Sequence, residues 1–249
     1  MDKALYVAMT GARASLQAQG TLSHNLANSD TPGFKEALAN TEAFPIRGPG
    51  FASRVDALHV DAGFNRTAGA QHITGKPLDL ALQTGTWLAV QSTDGSEAYT
   101  RGAALSVTPN GQLVTSSGRP VLDDNNNPIA IPPYQAMEIG NDGTISIIPQ
   151  GEGPQTMAMI GRIKVVQAPD DRLERGLDGL FRNTDPLQPF AQAQGTAVHS
   201  GQLEGSNVDA AGALVQMIQL QRQYEMQVQV IKHGDDNARS ANSLLRLGS

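Results

Sequence analysis

The stretch Leu214-Val-Gln-Met217-Ile-Gln-Leu-Gln221-Arg-Gln-Tyr224-Glu-Met-Gln-Val228-Gln-Val-Ile231 decides how the rest of the chain is read. Its numbered residues fall alternately three and four apart, and the same spacing continues through Asp235, Ala238, Asn242 and Leu245. Such spacing lines side chains along one seam of an α-helix, as in a coiled coil. A second apolar line, Val208, Val215 and Ile218, widens the stripe at its start. Ser206 with Asp209 three residues later has the form of a capping box, and a helix is predicted over 206–249. Some 40 residues at 1.5 Å each would make a rod of roughly 60 Å, more than a small domain covers with its own core. His233-Gly234 is the place predicted to bend or interrupt it, since Gly costs about 1 kcal/mol within a helix.

The other end of the chain mirrors this. Between Ala4 and Asn28 there is no Pro, and Gly occurs only at 11 and 20. Leu5, Met9, Ala12, Leu16, Gln19, Ser23 and Leu26 again alternate four and three, predicting a helix over 1–30 that stops at Asn28 and Thr31-Pro32-Gly33. The two helices differ in length and carry polar residues within their seams. Both features predict faces covered by neighbouring molecules; the competing reading is a hairpin of the two helices within one molecule. Met1 to Met9 loosely imitates a secretion signal ending near Ala12-Arg13-Ala14. Its charged start is neutral, Thr10-Gly11 breaks its apolar part, and it is shorter than such signals are.

Between the helices the period changes. Trp87–Gln91, Ala98–Arg101, Leu105–Thr108, Gln112–Thr115, Thr144–Ile148 and Arg162–Gln167 are short runs rich in β-branched residues. Asp94-Gly95, Asn110-Gly111 and Asp142-Gly143, dipeptides that favour tight hairpin turns, stand between or beside them. The predicted class is α+β: N- and C-terminal axial helices, coiled-coil-like, flanking an antiparallel β-rich middle domain over 67–195. Residues 31–66 and 196–205 read as extended connectors.

Composition excludes several kinds of chemistry. A net charge of −6 with no run of Lys and Arg argues against nucleic acid. No segment approaches the 18 apolar residues of a membrane span, so no membrane insertion is expected. With no cysteine there is neither a disulfide nor a thiolate metal site nor a catalytic thiol. The five His residues, at 24, 59, 72, 199 and 233, have no metal-ligand spacing. Asp123-Asp-Asn-Asn-Asn127 resembles the start of a calcium loop, but Pro128 stands where that loop needs Gly, and no Glu follows at its twelfth position. Gly151-Glu-Gly153 lacks the third Gly of a dinucleotide loop. Catalytic, cofactor-binding and metal-binding residues are accordingly expected to be none, and the chain is expected not to be an enzyme.

Two stretches carry a resemblance. Ser23-His-Asn-Leu-Ala-Asn28-Ser-Asp-Thr31-Pro-Gly33-Phe34-Lys35 resembles the amino-terminal signature of the bacterial flagellar rod and hook proteins. Gly205-Ser-Asn207-Val208, followed by Met217-Ile218 and Gln221-Arg-Gln-Tyr224-Glu225, resembles their carboxyl-terminal signature. The middle runs Gly75–Leu82 and Gly85–Gln91 extend the likeness over most of the chain. Within the family the length, Met1-Asp2 and the Trp87 segment look most like the proximal-rod branch. The distal-rod branch usually carries adjacent acidic residues where Gly212 and Ala213 stand here.

The resemblance implies a structural subunit of the flagellar rod, a hollow drive shaft for motility. It implies export by the flagellar type III apparatus without a cleaved signal, and polymerisation in the periplasm. It also implies partners that are other rod subunits and copies of the chain itself. Terminal helices would form the inner tube and the strand domain would lie outside. The expected assembly interface is Leu5, Met9, Ala12, Leu16, Leu26, Asn28, Gly33 and Phe34 at one end. At the other it is Asn207, Val208, Leu214, Met217, Ile218, Tyr224, Val228, Ile231, Ala238 and Leu245. Competing readings are a distal-rod or hook paralogue, a periplasmic β-domain binding module on a helical stalk, and an enzyme with its site in the middle domain.

Overall fold

The computed structural model describes residues 2–45, 55–153, 156–176 and 178–247. It has an N-terminal helix α1 (Asp2–Ala27), a middle of antiparallel strands and a C-terminal helix α2 (Ala210–Leu247), an α+β chain. Two compact units emerge: a helical unit of Met1–Ser29, Glu36–Phe64 and Val208–Ser249, and a strand unit of Asp30–Lys35 and Asn65–Asn207.

In the helical unit α1 and α2 pack on each other as an antiparallel pair: Leu5 lies against Gly234 and Gly11 against Gln227. The hairpin of helices within one molecule is therefore formed. With Leu5 opposite Gly234, the first residue of α1 falls near Asn237, and α2 runs on for about ten residues, roughly 15 Å. Gly234 does not interrupt α2, which runs as one helix; its missing side chain makes room for Leu5.

The seams are also phased differently from the sequence reading. Among the described side chains the less exposed positions of α2 are Gly212 and, alternating three and four, Ala210, Ala213, Met217, Leu220, Tyr224, Gln227, Ile231, Gly234 and Ala238. Met217, Tyr224, Ile231 and Ala238 were expected there. Leu214 and Val228, expected as their companions, are exposed at 48% and 42%, and Ala213 and Gln227 stand in their places. On α1 the buried side is Gly11, Ala14, Ser15 and Asn25, with Ala18 and Leu22 half-buried, while Met9 and Leu16 are exposed at 53% and 49%. The physical reason is close approach at particular levels: Gly11 admits Gln227 and Gly234 admits Leu5, while Met217, Leu220, Tyr224 and Ile231 fill the seam between.

The connector expected over 31–66 is replaced by ordered structure. Ala37–Pro45 (β1) and Val55–Phe64 (β2) pair antiparallel, with Ala43 opposite Ala57; residues 46–54 of that stretch lie outside the described residues. β2 packs along α1, where Thr10 Oγ1 donates to Asp56 Oδ1 at 3.2 Å. Asn25 fixes the start of β1: its Nδ2 donates to Ala37 O at 2.8 Å and its Oδ1 accepts from Ala37 N at 2.9 Å. α2 opens at Ala210, so Asp209 rather than Ser206 precedes its first residue; Asp209 O accepts from Ala213 N at 2.8 Å.

The strand unit is built on a six-stranded antiparallel sheet whose centre is Thr86–Gln91 paired with Glu97–Thr100 and with Val165–Gln167. The expected hairpin turns form, with Gly95, Gly111 and Gly143 at φ of +82°, +79° and +86°. Thr144–Pro149 sits between Tyr134–Ile139 and Ala158–Arg162 in a second sheet. Leu88, Val90, Leu113, Val121, Ile145 and Ile163 lie within one apolar core at 0–1% exposure. The connector expected at 196–205 is strand as well: Val198–Ser200 pairs with Leu80–Leu82, and Gln202–Glu204 with Gln71–Ile73. The calcium-like run is a turn, in which Asp123 Oδ1 accepts from Asn125 N and Asn127 N at 2.9 and 2.8 Å.

The helix register gives a direct test in a chain with no native cysteine. Gly11→Cys with Gln227→Cys should form an intramolecular disulfide on mild oxidation, read as faster migration on a non-reducing gel. Gly11→Cys with Val228→Cys, one residue around α2, should not. Equal crosslinking of the two pairs would show that the helices do not hold this register.

Candidate functional site

The expected site residues fall into two groups, one in each unit. In the helical unit Leu5, Leu26, Asn28, Val208, Met217, Tyr224, Ile231 and Ala238 are half-buried, and Ala12 is buried. Asn28 closes α1 through Nδ2, which donates to His24 O at 2.9 Å. Met9, Leu16, Leu214, Ile218 and Val228 are exposed, and the Leu245 side chain lies outside the described residues.

Both helices show two apolar faces. Val215, Ile218 and Met226, exposed at 56%, 54% and 59%, each stand nine positions from a seam residue: Tyr224, Gln227 and Met217. Nine residues are two and a half turns, the opposite side of the helix. On α1 the exposed Tyr6, Met9 and Leu16 stand nine positions from Ser15, Ala18 and Asn25 on its covered side. A lone exposed Leu or Met is ordinary; here the exposed apolar residues are aligned in rows opposite an occupied seam.

Gly33, Phe34 and Asn207 belong to the strand unit and meet there in a clasp. Gly33 takes φ +70°, and any Cβ at that position would overlap the Arg101 carbonyl carbon and the Gly102 nitrogen. Its N–H donates to Glu204 O at 2.8 Å. The buried Phe34 ring is covered by the Arg175 guanidinium, 4.4 Å from the centroid, and Arg175 Nη1 donates to Lys35 O at 3.1 Å. Asn207 Nδ2 donates to Asn65 O and Thr67 O, both at 2.9 Å.

At the centre are three charges that sequence reasoning missed as a group. Lys35, Arg101 and Glu204 are exposed at 4%, 5% and 2%. Glu204 Oε1 accepts from Lys35 Nζ at 2.7 Å and from Gly69 N at 3.0 Å, while Oε2 accepts from Arg101 Nε at 2.8 Å and from Nη2. Arg101 Nη1 donates to Gln83 O and Thr86 O at 3.0 and 2.7 Å, and Nη2 to Leu82 O at 3.0 Å. All five guanidinium donors are thus used. Burial alone would raise the Glu204 pKa; the Arg101 charge and the hydrogen bonds from Lys35, Arg101 and Gly69 outweigh it and hold it below the ordinary carboxylate value. Nothing in this arrangement is an open, solvent-reached constellation; it binds the chain to itself.

Two consequences can be measured on the purified protein. Gly33→Ala should destabilise the strand unit by about 2 kcal/mol or more, because the left-handed backbone alone costs an L-residue roughly 1–2 kcal/mol and the overlap adds to it. Since the Glu204 pKa is depressed in the folded state, its contribution is fully present above the ordinary carboxylate range and is lost as pH falls through the folded value. Glu204→Gln should therefore lose about 3–5 kcal/mol near neutrality, leaving two buried cations uncompensated, and show a shallower loss toward acid than the parent. Denaturant titrations at pH 7 and pH 3 read both; parallel acid limbs would deny Glu204 this role.

Comparison with known proteins fits the two groups. Residues 5–35 match the family described as flagella basal body rod protein, and residues 81–147 the D1 domain of flagellar hook protein FlgE/F/G. Residues 199–244 match the C-terminal region of flagellar basal body rod FlgEFG protein. The chain is 43% identical to the flagellar basal-body rod protein FlgF of Escherichia coli, with 99% of this chain and 100% of that protein covered. It is 40% identical to the Salmonella typhimurium FlgF over 99% and 100%. To a Buchnera aphidicola FlgG it is 30% identical over 98% and 100%. Full-length likeness at this level shows that the chain belongs to the flagellar basal-body rod protein family, on its FlgF branch, as a structural component of the rod.

Proposed function

We propose that this rod protein joins other rod subunits and copies of itself through the helix faces that its own fold leaves uncovered, and that it does so as a purely structural, non-enzymatic element of the basal body. The observation that carries this is the second apolar face of α2. Val215, Ile218 and Met226 lie opposite the seam already filled by α1, so they gain burial only from another molecule. Tyr6, Met9 and Leu16 offer a different surface of the same kind. A contact that joins two unlike surfaces head to tail, without closing into a ring, propagates as a helical filament. In this reading the helical unit is the axial part of the rod and the strand unit its outer domain.

Delivery through the flagellar type III apparatus without a cleaved signal belongs to the same proposal. Removing a signal that ended near Ala14 would delete Leu5 and Gly11, which pack on Gly234 and Gln227. The mature helix pair needs those residues, which supports their retention.

The test separates the two faces of α2. Ile218→Asp and Met226→Asp should leave the circular dichroism of the purified protein unchanged, since a charge on a solvated helix face costs only tenths of a kcal/mol. In a strain lacking the parent gene they should abolish swimming and rod completion. Ile231→Asp, within the seam, should instead unfold the helical unit itself. Full motility with both outward substitutions would remove this face from the assembly.

A further inference from the structure

The last segment of the strand unit completes several parts of that unit at once. Ala193, Ala197 and Val198 fill the apolar core at 5%, 1% and 0% exposure. Val198–Ser200 pairs with Leu80–Leu82, whose three side chains are at most 1% exposed. Ala197 N and Val198 N donate to Asn141 O at 2.9 and 3.1 Å, holding the turn between Tyr134–Ile139 and Thr144–Pro149. Glu204 then supplies the counter-charge to Lys35, 169 residues earlier, and to Arg101, 103 residues earlier.

We infer that the strand unit is a length-gated fold, which cannot close on any chain that lacks the segment through Glu204. Without that segment Leu80–Leu82 would present an unpaired backbone edge inside the core, and Lys35 and Arg101 would be two like charges buried with no anion between them. Both penalties fall together, so no part of the core is spared. The strand unit, Gly33–Lys35 together with the chain from Asn65 to Glu204, is then one cooperative unit whose first and last turns of chain arrive together. A chain emerging amino end first, from a ribosome or from any channel, holds no folded strand unit until its residue 204 is free.

The full-length protein tests this by pulsed hydrogen exchange during refolding. The protein's single tryptophan, Trp87, is 2% exposed with its ring 5.8 Å from the Arg101 guanidinium, and serves as a fluorescence reporter of the same event. The amides of Thr86–Gln91 and Glu97–Thr100 should gain protection in the same kinetic phase as Val198–Ser200 and Gln202–Glu204, with the Trp87 change coincident. Protection of the central strands in an earlier phase, while 198–204 still exchange freely, would overturn the inference. Native-state exchange gives a second reading that needs no variant. Residues 198–204 should open only with the core, so their exchange should respond to denaturant with the same slope as that of Leu88 and Val90. A separate local opening at 198–204, with the core still protected, would also overturn it. Glu204→Gln should shift the Trp87 transition to lower denaturant with its steepness kept, whereas Glu152→Gln on an exposed loop should not; equal midpoints for the two would count against it.

Discussion

A single carboxylate, buried between two cations, holds the strand unit together. Glu204 meets Lys35 with one oxygen and Arg101 with the other, and each cation goes on to bind backbone carbonyls: Thr67 for Lys35, and Leu82, Gln83 and Thr86 for Arg101. Buried ion pairs are weak contributors when judged against an apolar substitute of the same shape, because desolvation cancels most of the attraction. Their effect here is on geometry. Three segments from distant parts of the chain are brought to one point, each by a bond that tolerates few other arrangements. Gly33 shows how tight the arrangement is, since its left-handed backbone sits where no side chain fits.

The clasp also explains where the chain leaves the strand unit. Its covalent crossings to the helical unit fall at 29–30, 35–36, 64–65 and 207–208. Lys35, Asn65 and Asn207 stand at three of these crossings, and all three take part in the clasp's hydrogen bonds. Gly33, Phe34 and Asn207, expected in the assembly interface, take part in contacts within the strand unit: with Glu204 O, with the Arg175 guanidinium and with Asn65 O and Thr67 O.

Much of the fold was legible because its signals are local. The spacing of three and four gave both helices, and Asp94-Gly95, Asn110-Gly111 and Asp142-Gly143 gave the hairpins. The strands at Leu80–Leu82, Val198–Ser200 and Gln202–Glu204 escaped because three residues are too few to show a period of two. The connector at 31–66 hid β1 and β2 for another reason. Leu38, Phe44 and Leu58 are exposed, so the hairpin lacks a clean alternation of covered and open residues. The clasp was illegible in principle: Lys35, Arg101 and Glu204 are ordinary surface residue types, and only the folded pairing across 169 residues makes them a group.

The seam error is the more instructive one. The seams were read from the alternation of three and four, polar residues such as Gln19, Ser23 and Asp235 included, and on α2 every second position falls one residue off: Leu214 and Val228 for Ala213 and Gln227. Spacing fixes the period of a helix face but leaves neighbouring phases close together. A helix that must serve two partners has to divide its surface. Gly11, Ala14 and Ser15 give close contact inside the molecule, where the two helices are always at each other's disposal and little area per residue is needed. Val215, Ile218 and Met226 are exposed on the opposite side; under the proposed assembly a partner there would lose its freedom on binding, a cost only larger buried areas offset. The exposed apolar rows are interrupted by Arg13 on α1 and by Gln219 and Arg222 on α2, so neither is a continuous apolar stripe. The seam thus mixes small residues, among them Gly11, Ala14, Ser15, Ala213 and Gly234, with Leu5, Met217, Leu220, Tyr224 and Ile231, while other large residues of both helices stay exposed.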